Sequence, residues 1–348
     1  MSRAAKPAPT LKRRHLFKMA AAAGFAFSFS GCSRSESAYE SQILIFGTEV
    51  DIKIYHPDKY AVNEAIARIN RDFQKFHHEW HAWERGGIVS RINDAITRKQ
   101  PIEVAESVKT FILKSQQLSE ASDYLFDPAI GKLIALWGFH SEQWQGPPPD
   151  DGAIRNWLAE RPSIKDLYFI GRRLYSHNPQ VQLDFGGNAK GLALDMALQS
   201  LQRAGIEHAL VSIGGDMKAL GIKPGNQPWK VAISNPRIPA EPIASLALYG
   251  EESVVTSGTY QRFFEWQGQR YSHILNPNTG YPATGFASVT VIHPDATTAD
   301  AAATALLIAG PQQWRHIAEQ MQIEYALCVD YSGQIEQTKA MEKRAKLL

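Results

Sequence analysis

The segment VQLDFGGNAKGLALDMALQSLQRAG, residues 181–205, constrains this chain more than any other. An alternating apolar run, a turn holding Gly186, Gly187 and Gly191, and a long amphipathic stretch ended by Gly205 predict strand, tight turn and helix. Backbone free of side-chain bulk at a helix start can aim its N–H groups at an anion, at the positive end of the helix dipole. The spacing is neither GxGxxG nor GxxxxGK followed by Ser or Thr, so the dinucleotide and P-loop readings fail. Ordinary chain reversal is the other reading of such a turn.

A second glycine turn lies in ALVSIGGDMKALG (209–221), where an apolar strand enters Gly214-Gly215-Asp216. It reads as a strand-terminal turn in which Asp216 makes local backbone bonds, or as bare backbone that a flat ring or ribose can approach. A third string, VVTSGTYQRFFEWQGQRYSHILNPNTGYP (254–282), predicts a hairpin with strands at Gln261–Trp266 and Arg270–Ile274. His273 then sits at a strand end beside rigid turns, a place suited to general-base work or phosphate contact near neutral pH, with a purely structural imidazole as the other reading. Thr256, Ser257 and Thr259 precede it in the same unit.

In ATTADAAATALLIAG (296–310), Asp300 and Thr304 lie four apart and share one face of an Ala-rich helix. A carboxylate and a hydroxyl are two hard oxygen ligands, and a glycine-loop carbonyl supplies a third for an octahedral Mg²⁺. The bland alternatives are a helix-dipole role for Asp300 and a back-bond to the preceding turn for Thr304. The HHEWH run at 77–81 is not HExxH, and its histidines read as surface or packing residues.

Elsewhere, EAIARINRDFQKFHHEW and the stretch from Val104 to Ser122 have helical spacing, Ala82 to Asn93 reads as a turn, and Gln145 to Gly152 as a surface loop. The 348 residues leave room for about two units of ordinary domain size.

Charge excludes one class of partner. The first 31 residues hold six Lys/Arg and no acid, so the remainder sets 31 bases against 35 acids and is net negative. Such a body does not offer the concentrated basic surface that nucleic acid requires. The basic start, KRRHLFK at 12–18, is followed by the apolar Met19 to Ser30. A helix of that length rises roughly 18 Å, against a hydrocarbon core of roughly 30 Å, so residues 1–31 read as a signal peptide of twin-arginine type. Ser30-Gly31-Cys32 resembles a lipobox that would lipidate Cys32, although Phe29 stands where a small aliphatic residue is usual and a plain cleavage site with an incidental cysteine is the other reading; 32–40 then form a polar tether and 41–348 the functional domain. The expected location is the lipid-anchored periplasmic face of the inner membrane. Cys328, in the apolar run YALCVDY, reads as inert core.

Taken together, FDPAIGKLIALWGF (126–139), LDFGGNAKGLALD (183–195), ALVSIGGDMKALG (209–221), TSGTYQRFFEWQGQRYSHILNPNTGYP (256–282) and VTVIHPDATTADAAATALLIAG (289–310) resemble the FAD:protein FMN transferase family, ApbE. The resemblance implies an α+β fold, two related lobes of mixed or antiparallel sheet and helices around a FAD cleft. It implies Mg²⁺-dependent transfer of the FMN moiety of FAD to a Thr or Ser hydroxyl of an acceptor protein, releasing AMP. By the same resemblance Gly187, Asp300 and Thr304 hold Mg²⁺, His273 is catalytic, and Trp83, Phe126, Asp127, Asp184, Lys190 and Leu275 contact FAD. Ala303 stands beside Thr304 where some members carry a second acid. Two other readings use the same residues: a periplasmic FAD pyrophosphatase giving free FMN and AMP, and a non-catalytic FAD-binding lipoprotein.

Overall fold

Alternating apolar residues build one dominant sheet, and the helices exist to cover it. The structure is a computed structural model that describes residues 38–141, 146–238 and 240–348. The signal, the lipobox and most of the tether expected from the sequence lie outside the described residues. The chain begins with β1 (Ala38–Ile45), β2 (Thr48–Tyr55), α1 (Lys59–Trp80), α2 (Ile88–Thr97), β3 (Ile102–Glu103) and α3 (Glu106–Ala121). Next come α4 (Gly131–Leu136), α5 (Asp151–Glu160), β4 (Leu167–Ile170), β5 (Arg173–Ser176), α6 (Ala189–Arg203), β6 (His208–Ile213) and β7 (Asp216–Leu220). Then follow β8 (Trp229–Ser234), β9 (Pro242–Leu248), β10 (Ser253–Gly258), β11 (Phe263–Trp266), β12 (Gln269–Ser272) and β13 (Ser288–His293). Helix α7 (Ala296–Gln320), β14 (Tyr325–Val329), β15 (Ile335–Gln337), α8 (Lys339–Glu342) and β16 (Lys346–Leu347) complete it.

The main sheet has eight strands in the order β1-β2-β6-β7-β10-β13-β14-β15, every neighbouring pair antiparallel. Period-two alternation sends Val50, Ile52, Ala209 and Val211 to one face, where α1 and α6 cover them. Val255, Val291, Ala326 and Cys328 point to the same face and meet α7. The opposite residues, among them Val254, Ile292 and Leu327, pack on Trp229 and Leu246 of the small sheet β16-β9-β8. The strand-and-helix halves expected as lobes thus share one continuous sheet. A third core joins α2 and α3 to the β3-β5-β4 sheet, and a fourth joins α4 and α5 to the β11-β12 hairpin.

Several boundaries differ from the sequence reading. The last expected tether residues, Ala38 to Glu40, are already strand, in register with Tyr55 to Lys53. The expected turn at 82–93 becomes helical at Ile88, because Ile88, Val89, Ile92 and Ile96 present one apolar face to the third core. Residues 181–185 alternate but form no strand; an isolated bridge joins Gln182 to Ile130, and the Asn93 amide brackets Leu183, accepting its N–H at 2.7 Å and donating to its carbonyl at 2.9 Å. Helix α7 runs past residue 310 with a kink, where Gly310 adopts φ 65° and Pro311 has no N–H to donate. Thr256 and Ser257 belong to the main sheet, not to the hairpin leading to His273. Among the described residues no helix is long and apolar enough to cross a membrane.

Candidate active site

The site is built where α6 and α7 touch. A Cβ on Gly191 would fall 2.2 Å from the Ala296 carbonyl oxygen, so only hydrogen fits between the helices there. One turn further along α6, Asp195 accepts the N–H groups of Ala296 and Thr297 at 3.0 Å each, tying α7's first turn to α6. Asp295 is the N-cap, accepting the Thr298 N–H at 2.7 Å. Asp300 therefore lies beyond the first turn and is not the dipole partner. It is buried, and its Oδ2 accepts the Gly191 N–H at 3.0 Å. Thr304 does not bond back either: its hydroxyl lies 3.0 Å from Ser257 Oγ on β10. The glycine turn closes over this face, because a Cβ on Gly187 would sit 3.6 Å from Thr304 Oγ1 and 3.2 Å from the Phe126 ring. Gly187, Asp300 and Thr304 thus converge, although 113 and 117 residues of sequence separate the loop from the two side chains.

Lys190 lies in the first turn of α6, where the dipole disfavours a cation. Asp216 compensates with a close ion pair to its Nζ, and the other Asp216 oxygen accepts the Thr256 N–H at 2.9 Å. Burial works against the charged form of Lys190, but the Asp216 and Asp300 carboxylates outweigh it and hold the pKa above the ordinary value. Burial pushes the Asp300 carboxyl up to about 6; Lys190 opposes this and Asp216 adds to it. A turn read as locally bonded therefore carries a long-range partner: Asp216 reaches α6 and β10.

His273 follows β12, and its Nδ1 lies 3.1 Å from the Arg262 carbonyl oxygen. A carbonyl only accepts, so Nδ1 carries the hydrogen and Nε2 is left as a bare acceptor. Burial, then the Arg262 and Lys190 charges, push the imidazole down to about 4 against that hydrogen bond. The ring is neutral at pH 7, the form a general base requires.

Trp83 and Asp184 sit together, the indole N–H donating to Asp184 Oδ2 at 2.8 Å while Asp184 Oδ1 accepts the Gly186 N–H at 2.8 Å. His140 lies against the Trp83 ring, the centroids 5.2 Å apart. Phe126 is buried beneath Gly187. The Asp127 carboxylate accepts the N–H groups of Ala129 at 2.9 Å and Ile164 at 3.0 Å, which fixes the loop that carries it. Burial pushes it up to about 6, with the Ser163 and backbone hydrogen bonds opposing. The Leu275 side chain packs into the fourth core with Leu133 and Trp137.

The sequence pattern of the ApbE family matches residues 46–327. The chain belongs to the ApbE family. A "FAD:protein FMN transferase" of Rhodobacter capsulatus is 36% identical over 304 residues, 86% of this chain but 57% of that one. This chain therefore spans little more than half the length of that relative, whereas it covers 90% of a Vibrio cholerae protein of the same name at 28% identity over 302 residues. Among solved structures, the ApbE protein of Thermotoga maritima superposes with a TM-score of 0.82 at 32% identity, covering 89% of this chain and 100% of that one. The apo flavinyl transferase ApbE of Pseudomonas stutzeri gives 0.78 at 29% identity, covering 88% and 96%.

The ApbE site fits a hard dication by its donor chemistry. Among the described residues no group of three or more His, Cys, Asp or Glu is placed to hold a metal. What does meet beside the bare glycine backbone is one carboxylate and one hydroxyl, both hard oxygen donors. Two residues escaped the sequence reading as site members, Asp216 and Ser257. The Gly-Gly-Asp turn and the Thr-Ser-Gly run were visible signals, but their partners lie 26 and 47 residues away.

Proposed function

We propose that this chain transfers the FMN moiety of FAD to a Thr or Ser hydroxyl of an acceptor protein, releasing AMP, in a Mg²⁺-dependent reaction. The observation that carries the proposal is the convergence of the Gly187 turn with Asp300 and Thr304, beside Lys190. Asp300, Thr304 and the Gly187 carbonyl would hold Mg²⁺, which when bound neutralises diphosphate charge. The Lys190–Asp216 pair sets the electrostatics of the same wall. His273 Nε2 takes the proton of the acceptor hydroxyl as its oxygen bonds to the FMN phosphorus. The anhydride bond breaks, and AMP leaves with the bridging oxygen. The Trp83–Asp184 contact fixes an indole at the edge of the glycine turn, a flat surface suited to an aromatic ring of FAD.

Incubation with FAD, Mg²⁺ and candidate acceptors, followed by intact mass analysis, tests the reading: the acceptor should gain one FMN phosphoester. Free FMN plus AMP with an unmodified acceptor would instead assign the hydrolase. We also propose export and lipid anchoring through Cys32, on the strength of the twin-arginine run and the Ser30-Gly31-Cys32 string. Acceptors should then be exported proteins, and palmitate labelling lost in Cys32→Ala checks the anchor.

A further inference from the structure

Helical threonines in this fold use their hydroxyls in two ways, back-bonding to their own helix or, as Thr297 does to Asp195 at 2.7 Å, reaching another element. Thr97 and Thr110 each donate their hydroxyl to the carbonyl four residues back, at 2.9 Å. The Thr304 hydroxyl leaves its own helix and meets Ser257 Oγ at 3.0 Å. A hydroxyl oxygen that turns lone pairs to a cation must send its hydrogen elsewhere, and the acceptor in reach is Ser257. Ser257 is itself fixed. Its strand pairs in register with β13 at Val289, the Thr256 N–H before it is held by Asp216, and the Thr256 hydroxyl points the opposite way, to Thr290 at 2.9 Å.

We infer that Ser257 is a positioning residue: it accepts the Thr304 hydrogen and so presents the Thr304 oxygen to the dication. The inference rests on the Mg²⁺ reading above and adds to it a residue on another element. It also assigns β10 a double task, since neighbouring residues of one strand hold Asp216, partner of Lys190, and orient Thr304.

Mn²⁺, a hard octahedral ion visible by electron paramagnetic resonance, is the probe. The full chain is titrated with Mn²⁺ and the unbound ion is read directly, independently of turnover. Ser257→Ala should raise the Kd about tenfold, in line with the loss of an outer-shell partner. Ser257→Thr keeps the oxygen and should bind as the wild type does. Thr304→Ala should bind more weakly than Ser257→Ala, and the double variant no more weakly than Thr304→Ala, because Ser257 acts through Thr304 alone. Additive losses in the double variant, or wild-type affinity in Ser257→Ala beside a weakened Thr304→Ala, would overturn the positioning role. Wild-type affinity in Thr304→Ala would overturn the metal reading itself. If Ser257→Ala does not fold, Ser257→Cys, a weaker acceptor of similar size, carries the same test.

Discussion

Lys190 is the residue on which the charge balance of the site turns. Its partners Asp216 and Asp300 are both buried, so Lys190→Ala leaves two carboxylates facing each other without a cation. Removing one member of a fully buried pair costs about 3–5 kcal/mol; the lysine side chain here is about a third exposed, which reduces the expected loss to about 2–3 kcal/mol. Urea denaturation checks it, and a midpoint equal to the wild type would show that solvent already screens the pair. Acid sensitivity separates two other residues. His273 titrates at about 4 and stays a neutral base down to that pH, whereas Asp300 takes a proton at about 6. Protons compete with a dication for Asp300, so the acid limb of activity should lie near pH 6 and move to lower pH as Mg²⁺ is raised. A limb that ignores Mg²⁺ would assign it to another group. For stability the sign of the His273 contribution is fixed by its lowered pKa. The unfolded chain binds the proton first, so this contribution is complete above about 6.5 and is lost as pH falls toward about 4.

At the scale of elements, the contact between α6 and α7 decides whether the site exists. Gly191 allows it: a methyl there would press on the Ala296 carbonyl and the Thr297 Cα. Gly191→Ala should therefore push the helices apart, costing about 1–3 kcal/mol, and should weaken Mn²⁺ binding at the same time by moving Asp300 away from the glycine turn. Gly205→Ala, at the far end of α6 where nothing lies within 4 Å, is the contrast: its φ of 74° strains the C-cap, but the Mn²⁺ affinity should be unchanged. Equal metal affinities in the two variants would break the link between helix spacing and site geometry.

For the whole molecule, the fold stands on apolar layers, and the proposed dication would be an addition to them. The main sheet is covered on one face by α1, α6 and α7 and partly on the other by the β16-β9-β8 sheet, with Trp314 and Trp229 fully buried in the two layers. Chelation of divalent ions should abolish transfer while leaving near-ultraviolet circular dichroism native. The melting temperature should fall only by the binding free energy of the ion. Unfolding on chelation would mean that the dication closes the α6–α7 contact.

The sequence by itself determined the elements that local pattern can encode. Apolar spacing fixed α1, α3 and α6; glycine after an apolar strand fixed the β6–β7 turn; and the Gln267-Gly268 break fixed the hairpin before His273. Five ordered strings also carried the family and the loop, acid and hydroxyl of the expected metal site. Local pattern misjudged 181–185, whose alternation reflects burial while its backbone is held by Asn93 and not by a strand. The tertiary structure alone decided that Asp216 faces Lys190, that Ser257 meets Thr304, and that Asp127 is held by Ala129 and Ile164. Such pairings join residues tens of positions apart through strand order and helix crossing. No periodicity of one segment contains them, because they arise only when separate faces bury the same core.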